Sequence, residues 1–295
     1  MQFIAYILIY PLLYLISLLP FRLLYVLSDL VYILVYYVIG YRKGTVQYNL
    51  ELVFPDKSEV ERKRIEKKFY RHLCDMFLEM IKSITISEKQ LVKRFVFKNT
   101  AEMKRLEAMN KSVIVMYGHY ASYEWSVVVA KYVSFKSYGI YKPLKNKYFD
   151  QLVKNIRSKY NTTLISSKEA ISSIENSEKE GVKSMAAFLS DQSPKKRSKY
   201  HWTTFMGQKA PCFTGAEMLA KKLDLSVTYL KINKIKRGYY EAEFVPLADN
   251  PKEFDDYQIT DKFTRALEEQ IYAAPEYYLW THKRWKHTKH APANL

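Results

Sequence analysis

Apolar positions crowd the start of this chain. From Phe3 to Leu19 the run is apolar apart from Ser17, with Tyr6, Tyr10 and Tyr14 spaced along it. A second run, Leu23 to Ile39, is broken only by Ser28 and Asp29. Each is about long enough to cross a bilayer core, which takes roughly 20 helical residues. Pro20 is expected to separate two helices and Pro11 to kink the first. Neither run has the one-sided stripe of a helix lying on a soluble core. The opening Met-Gln is not basic and no small-residue cleavage site follows, so the segment does not read as a secretory signal. Residues 1–40 are therefore expected to form a retained membrane anchor, either one spanning helix with an interfacial one or a shallow hairpin.

Beyond residue 40 the pattern changes. Between Ser58 and Ile84, Val60, Ile65, Phe69, Leu73, Met76, Phe77, Met80 and Ile81 recur near helical spacing, with basic residues on much of the other face. Lys111 to Tyr117 is short, β-branched and bounded by polar residues and Gly118, as a buried strand should be. Further strands are expected at 137–141, 163–165, 183–189, 225–232 and 239–244. Helices are expected from about Ser122 and over 147–159, 168–179, 214–223 and 259–271. Strands alternating with helices predict an α/β domain over 41–295, with a largely parallel central sheet flanked by helices.

Charge narrows the partners. Lys+Arg number 47 against 30 Asp+Glu, a net +17 that calls for an anionic partner. No nucleic-acid-binding signature is present, so an anionic lipid or membrane surface is the expected one. Arg42 and Lys43, followed by Arg62, Lys63, Arg64, Lys67 and Lys68, place the bulk of the chain on the cytoplasmic side by the positive-inside rule. Apolar residues at 48% exclude disorder, and a mean hydropathy of −0.28 excludes a polytopic membrane protein. Cys74 and Cys212 build neither a disulfide framework nor a zinc site, so a reducing compartment is expected. No glycine-rich phosphate loop is present, which argues against nucleotide-dependent chemistry.

The sharpest local signal is Gly118-His119-Tyr120-Ala121-Ser122-Tyr123-Glu124. A histidine at the carboxyl end of a buried strand occupies the usual ligand position of an open α/β sheet. With Glu124 in the first turn of the next helix reaching back, one ring nitrogen of His119 would be fixed. The other would be free to take a proton from a hydroxyl. The same pair also suits a merely structural histidine. No second His or Cys stands at ligand spacing, so no metal is expected.

Further blocks follow in order: Tyr141-Lys142-Pro143, Asp191-Gln192, Phe205-Met206-Gly207 with Ala210 and Thr214-Gly215, and a closing Trp280-Thr281-His282-Lys283-Arg284-Trp285. Together with residues 112–124 the set resembles the lysophospholipid acyltransferase superfamily, specifically the late acyltransferases of bacterial lipid A biosynthesis, over nearly the whole chain. The resemblance implies a bacterial inner-membrane acyltransferase with its catalytic domain on the cytoplasmic face. It would move a fatty acyl chain from an acyl carrier protein thioester, or from coenzyme A, to a hydroxyl of a lipid A precursor, with no other cofactor. It assigns His119 as base and Glu124 as the carboxylate that orients it. It implies substrate contacts from Lys142, Arg157, Asp191, Gln192, Gly207, Thr214 and Gly215. Lys142 stands where the family usually has Arg, losing the planar fork for phosphate or carboxylate, and Arg157 is the expected substitute.

Lys142, Lys145, Lys147, Lys195, Lys196 and Arg197 would form a basic rim for an acidic carrier protein. Backbone amides at the start of the 122 helix would meet charge on a thioester oxygen. The basic, aromatic residues 280–290 read equally as a headgroup contact or a solvated tail. Two other functions share these features: the same transfer to another glycolipid, an aminolipid or a polyene-type lipid, and a catalytically silent protein bound at the membrane surface.

Overall fold

The structure, a computed structural model, describes residues 2–194 and 201–291. It begins with two helices, α1 (Gln2–Leu18) and α2 (Phe21–Ile33), the second continuing as a π-helical stretch over Leu34–Ile39. Pro20 divides them, whereas α1 runs through Pro11 without a break. Helix α3 (Lys43–Val53) and the long α4 (Glu59–Lys82) follow. A capping box starts α4: Ser58 Oγ accepts the Glu61 N–H, and the Glu61 carboxylate accepts the Ser58 N–H at 2.8 Å.

The rest is an α/β domain, as the strand and helix pattern predicts. Chain order runs α5 (Glu88–Arg94), β1 (Phe95–Phe97), α6 (Thr100–Ala108), β2 (Val113–Tyr117), a 3₁₀ helix (Tyr123–Lys131), β3 (Lys136–Tyr141) and α7 (Lys147–Arg157). It continues with β4 (Thr162–Ser166), α8 (Ala170–Lys179), β5 (Ser184–Leu189), β6 (His201–Phe205), β7 (Gln208–Cys212), α9 (Gly215–Leu223), β8 (Ser226–Lys236), β9 (Tyr239–Ala248) and α10 (Gln258–Ala273). One seven-stranded sheet has the order β1-β9-β8-β2-β5-β3-β4, and β6-β7 is a separate hairpin. Every pairing in the large sheet is parallel except β8 with β9.

Strand β2 lies inside the sheet, and its Val113, Ile114, Val115 and Met116 are all buried. Such a strand has no polar face to show water, which is why it reads as an unbroken apolar run. Gly118 at its exit packs closely: a Cβ there would come within 2.8 Å of Leu267 Cδ1 on α10, and that side chain would have to shift. The hairpin β6-β7 turns through Met206 and Gly207, both with positive φ (51° and 73°), a primed turn that suits glycine at the second position.

Candidate active site

Register brings the central pair together. Strands β2 and β5 are parallel neighbours with Tyr117 opposite Leu189. Two residues beyond each, the chain delivers His119 and Asp191 side by side. His119 Nδ1 lies 2.7 Å from Asp191 Oδ1, and the Ser190 N–H donates to the Tyr117 carbonyl at 3.1 Å, extending the ladder. With Nδ1–H donating to the carboxylate, Nε2 is the acceptor nitrogen. The Gln192 amide donates to it at 3.2 Å.

Electrostatics reinforce the pair. Burial by itself pushes the imidazole pKa down, but the charge and hydrogen bond of Asp191 outweigh it, so His119 is raised above its ordinary 6.5. Burial acts to raise the Asp191 carboxyl, yet His119 and backbone N–H groups bring it below the usual carboxylate value. The two shifts agree in sign: each partner favours the charged form of the other.

The structure corrects the expected role of Glu124. Its carboxylate does not hold His119; the Arg157 guanidinium grips it with two bonds, Nε to Oε2 at 2.9 Å and Nη2 to Oε1 at 2.6 Å. The chain leaves His119 through Ala121, which has φ +50°, and enters a 3₁₀ rather than an α-helix. Glu124 is the second residue of that helix. The Arg157 fork expected for a phosphate or a substrate carboxylate is thus already engaged within the protein. Both partners are partly buried, with side chains 24% and 14% exposed.

The residues from Arg157 back to Phe149 on α7, with α4 and α1, enclose an apolar cavity of about 300 Å³. Glu124 and Arg157 supply its charged lining; Leu13, Phe77, Met80, Trp125, Leu152 and Ile156 supply much of the apolar wall.

The loop carrying His119 is pinned by the chain's closing segment. The Leu279 N–H donates to the His119 carbonyl at 3.1 Å, and the Ala121 N–H to the Tyr277 carbonyl at 3.0 Å. That tie holds Ala121 in its left-handed conformation, an arrangement that ordinarily costs about 1–3 kcal/mol. The segment from Trp280 to Trp285 is not a solvated tail, although Lys283 within it is exposed. Trp280, Arg284 and Trp285 are buried, and the two indoles stack with centroids 6.2 Å apart.

His282 accepts the Ser193 N–H at its Nε2 (3.1 Å), and Ser193 Oγ donates to the Arg284 carbonyl. Burial, ahead of its neighbours' charges, drops the His282 pKa to about 4, so it stays a neutral acceptor. Three successive residues are therefore committed: Asp191 and Gln192 to His119, and Ser193 to the closing segment. The sequence reading missed this brace, although two tryptophans five apart amid basic residues were a sign of burial.

Among the described residues, the other expected site residues share none of the hydrogen bonds that join His119, Asp191 and Gln192. Lys142 and Lys145 are exposed in the connection after β3, and Lys147 is exposed at the start of α7. Lys195, Lys196 and Arg197 lie outside the described residues. Gly207 serves the β6-β7 turn, and Thr214 and Gly215 begin α9, where the Thr214 carbonyl accepts the Met218 N–H at 3.0 Å. Among the described residues no group of three or more His, Cys, Asp or Glu is placed to hold a metal ion.

The sequence model of the bacterial lipid A biosynthesis acyltransferases matches residues 2–287. The chain belongs to that family. It is an acyltransferase, as the sequence resemblance anticipates. Similar proteins include a lipid A biosynthesis palmitoleoyltransferase of Escherichia coli (strain K12), 22% identical over 247 residues, covering 83% of this chain and 79% of the relative. A lauroyltransferase of the same strain is 23% identical over 249 residues, with the same two coverages. A lipid A biosynthesis acyltransferase of Haemophilus influenzae (strain ATCC 51907 / DSM 11121 / KW20 / Rd) is 22% identical over 273 residues, covering 91% and 83%.

Proposed function

We propose that this acyltransferase moves a fatty acyl chain from a thioester, on acyl carrier protein or coenzyme A, to a hydroxyl of a lipid A precursor. His119 is the general base, and Asp191 is the carboxylate that orients it. The supporting observation is the 2.7 Å contact between His119 Nδ1 and Asp191 Oδ1, on the loop that leads to the apolar cavity lined by Glu124 and Trp125.

The acceptor hydroxyl displaces the Gln192 amide from His119 Nε2 and gives its proton to that nitrogen. Its oxygen attacks the thioester carbonyl carbon. The C–S bond then breaks, and the leaving sulfur takes the proton back from Nε2–H, giving an ester and a free thiol. Asp191 stabilises the imidazolium in between. Tyr120 and Ala121 amides are spent on Gly118 and Tyr277 carbonyls. The amides of Ser122, Tyr123 and Glu124, at the start of the 3₁₀ helix, are the candidate donors to the oxyanion. The cavity takes the acyl chain, each buried methylene contributing about 0.8 kcal/mol.

The test is direct. Purified protein given an acyl carrier protein thioester and a lipid A precursor should add one acyl chain, read by mass spectrometry, and His119→Ala should abolish the addition. Transfer only to some other lipid would move the acceptor assignment. Transfer by His119→Ala would remove the base.

A further inference from the structure

The closing segment meets both loops of the central pair within a single turn. Residues 279–282 form that turn, with the His282 N–H donating to the Leu279 carbonyl at 3.2 Å. Its first residue holds the base loop, the Leu279 N–H donating to the His119 carbonyl at 3.1 Å. Its last holds the carboxylate loop, His282 Nε2 accepting the Ser193 N–H at 3.1 Å. The placement of His119 against Asp191 is therefore tied to how firmly the turn is held.

Helix α3 does the holding. Asn49 Nδ2 donates to the Trp280 carbonyl at 2.8 Å and to the His282 carbonyl at 2.9 Å. Arg42 Nη1, just before the helix, donates to the Thr281 carbonyl at 3.0 Å. Three successive carbonyls of the turn are thus received by one short stretch of chain 231 to 239 residues earlier.

Asn49 is 1% exposed and shares the buried stripe of α3 with Val46, Leu50 and Val53. An apolar residue is the expected occupant of such a position. Asparagine is also a weak helix former, because its amide competes for backbone groups. Here the amide is spent outside the helix. Both its partners are carbonyl oxygens, which only accept, so the side-chain nitrogen has to face them and an ionised carboxylate would offer them nothing.

We propose that Asn49, with Arg42 beside it, is the positioning residue that keeps His119 and Asp191 in register for proton transfer. It acts through the turn rather than on the pair itself, and it rests on the reading of that pair as base and orienting carboxylate. Loosening the turn lets the two loops drift, and a misplacement of about 1 Å is enough to cost on the order of 10²-fold in rate. Drift also weakens the Asp191 influence that raises His119 against burial. The other charges that act on His119, Glu124 and Arg157, belong to the 3₁₀ helix and α7 and grip each other. His282, lowered to about 4, stays neutral over the working range.

The test reads His119 directly, by NMR of the full chain with labelled histidines, its resonance assigned as the one lost in His119→Gln. In the parent it should titrate above 6.5. Asn49→Ala should lower that midpoint and reduce kcat by on the order of 10²-fold, with KM little changed. Asn49→Asp, of the same size but without the donors, should do the same. Val46→Ala opens a hole on the same face of α3 while the turn stays held; it should lower the melting temperature and leave the midpoint and kcat alone. Arg42→Gln, at an exposed position, should move both readouts in the direction of Asn49→Ala and by less. An unmoved midpoint in the folded Asn49 variants would overturn the proposal, and so would one in Arg42→Gln where those variants do not fold. A midpoint shifted as far by Val46→Ala would overturn it too. The titration involves no acyl transfer, so a failure here and a failure of His119 as the base are read separately.

Discussion

His119 and His72 are both sunk in this protein and both adjoin the loop after β2, yet they are tuned in opposite directions. His119 faces a carboxylate, and its pKa rises against the pull of burial. His72, on α4, packs on the Tyr277 ring, whose backbone holds Ala121, and its Nδ1 accepts from Lys234 Nζ at 3.2 Å. Burial, and after it the Lys234 charge, drives His72 well below its ordinary value. Burial beside a lysine therefore makes a histidine inert; an opposing carboxylate makes it a base near neutral pH. The surroundings differ in the same sense. Around His72 the charges Asp75, Lys234, Arg237 and Asp29 satisfy one another, whereas the second nitrogen of His119 meets the neutral Gln192 amide.

The largest effects should come from the pair at the base. Asp191→Asn should lower the turnover rate by on the order of three to four powers of ten, as loss of the orienting carboxylate does in comparable triads, in a protein that remains folded by circular dichroism. A rate within tenfold of the parent would return the orienting role to another group.

Next comes the Glu124–Arg157 pair. Arg157→Gln leaves a partly buried carboxylate alone and should lower stability by about 2 kcal/mol, less than the roughly 3–5 kcal/mol of a fully buried pair. Denaturant unfolding of Arg157→Gln beside Glu124→Gln/Arg157→Gln should show the double variant recovering stability but not activity. Recovery of both would make the pair purely structural.

The cluster around His72 allows a pH test. Burial, ahead of all other influences, raises Glu79 to about 7, so folding holds a proton there that the unfolded chain releases near 4.5. Its contribution to stability should fall as pH rises from about 4.5 to 7, by on the order of 3 kcal/mol, and level off above. Subtracting the unfolding profile of Glu79→Gln from that of the parent isolates this slope, and parallel profiles would refute it. Smallest of all, His72→Gln keeps an acceptor for Lys234 and should leave the pH–rate profile where it was, at a cost near 1 kcal/mol. A shifted profile would mean that His72 titrates in the working range.

Much of this architecture was legible. The apolar run of β2, the alternation of strands and helices and the division at Pro20 follow from patterns that burial on one or two faces imposes. His119 was legible because it follows such a strand. Its partner was not, because Asp191 lies 72 residues away and meets it only through the β2–β5 register, whereas Glu124 is near in sequence. Local spacing cannot tell a 3₁₀ from an α-helix after Ala121, and that difference gives Glu124 to Arg157. The closing segment misled for a related reason: its lysines and histidines suggest solvent, while Trp280, Arg284 and Trp285 bury themselves against the loops they brace. Short β1 and the β6-β7 hairpin carry too few apolar positions to announce themselves.

The pH dependence of kcat/KM, taken in parallel for the parent, Asp191→Asn and Glu124→Gln, tests most directly which carboxylate sets the base. His119 must be neutral to act, so activity should rise with pH through a limb lying above 6.5 in the parent. That limb should move to lower pH in Asp191→Asn, with a much reduced plateau, and move less in Glu124→Gln, whose charge is a smaller influence on His119. A limb displaced by Glu124→Gln and untouched by Asp191→Asn would contradict the account.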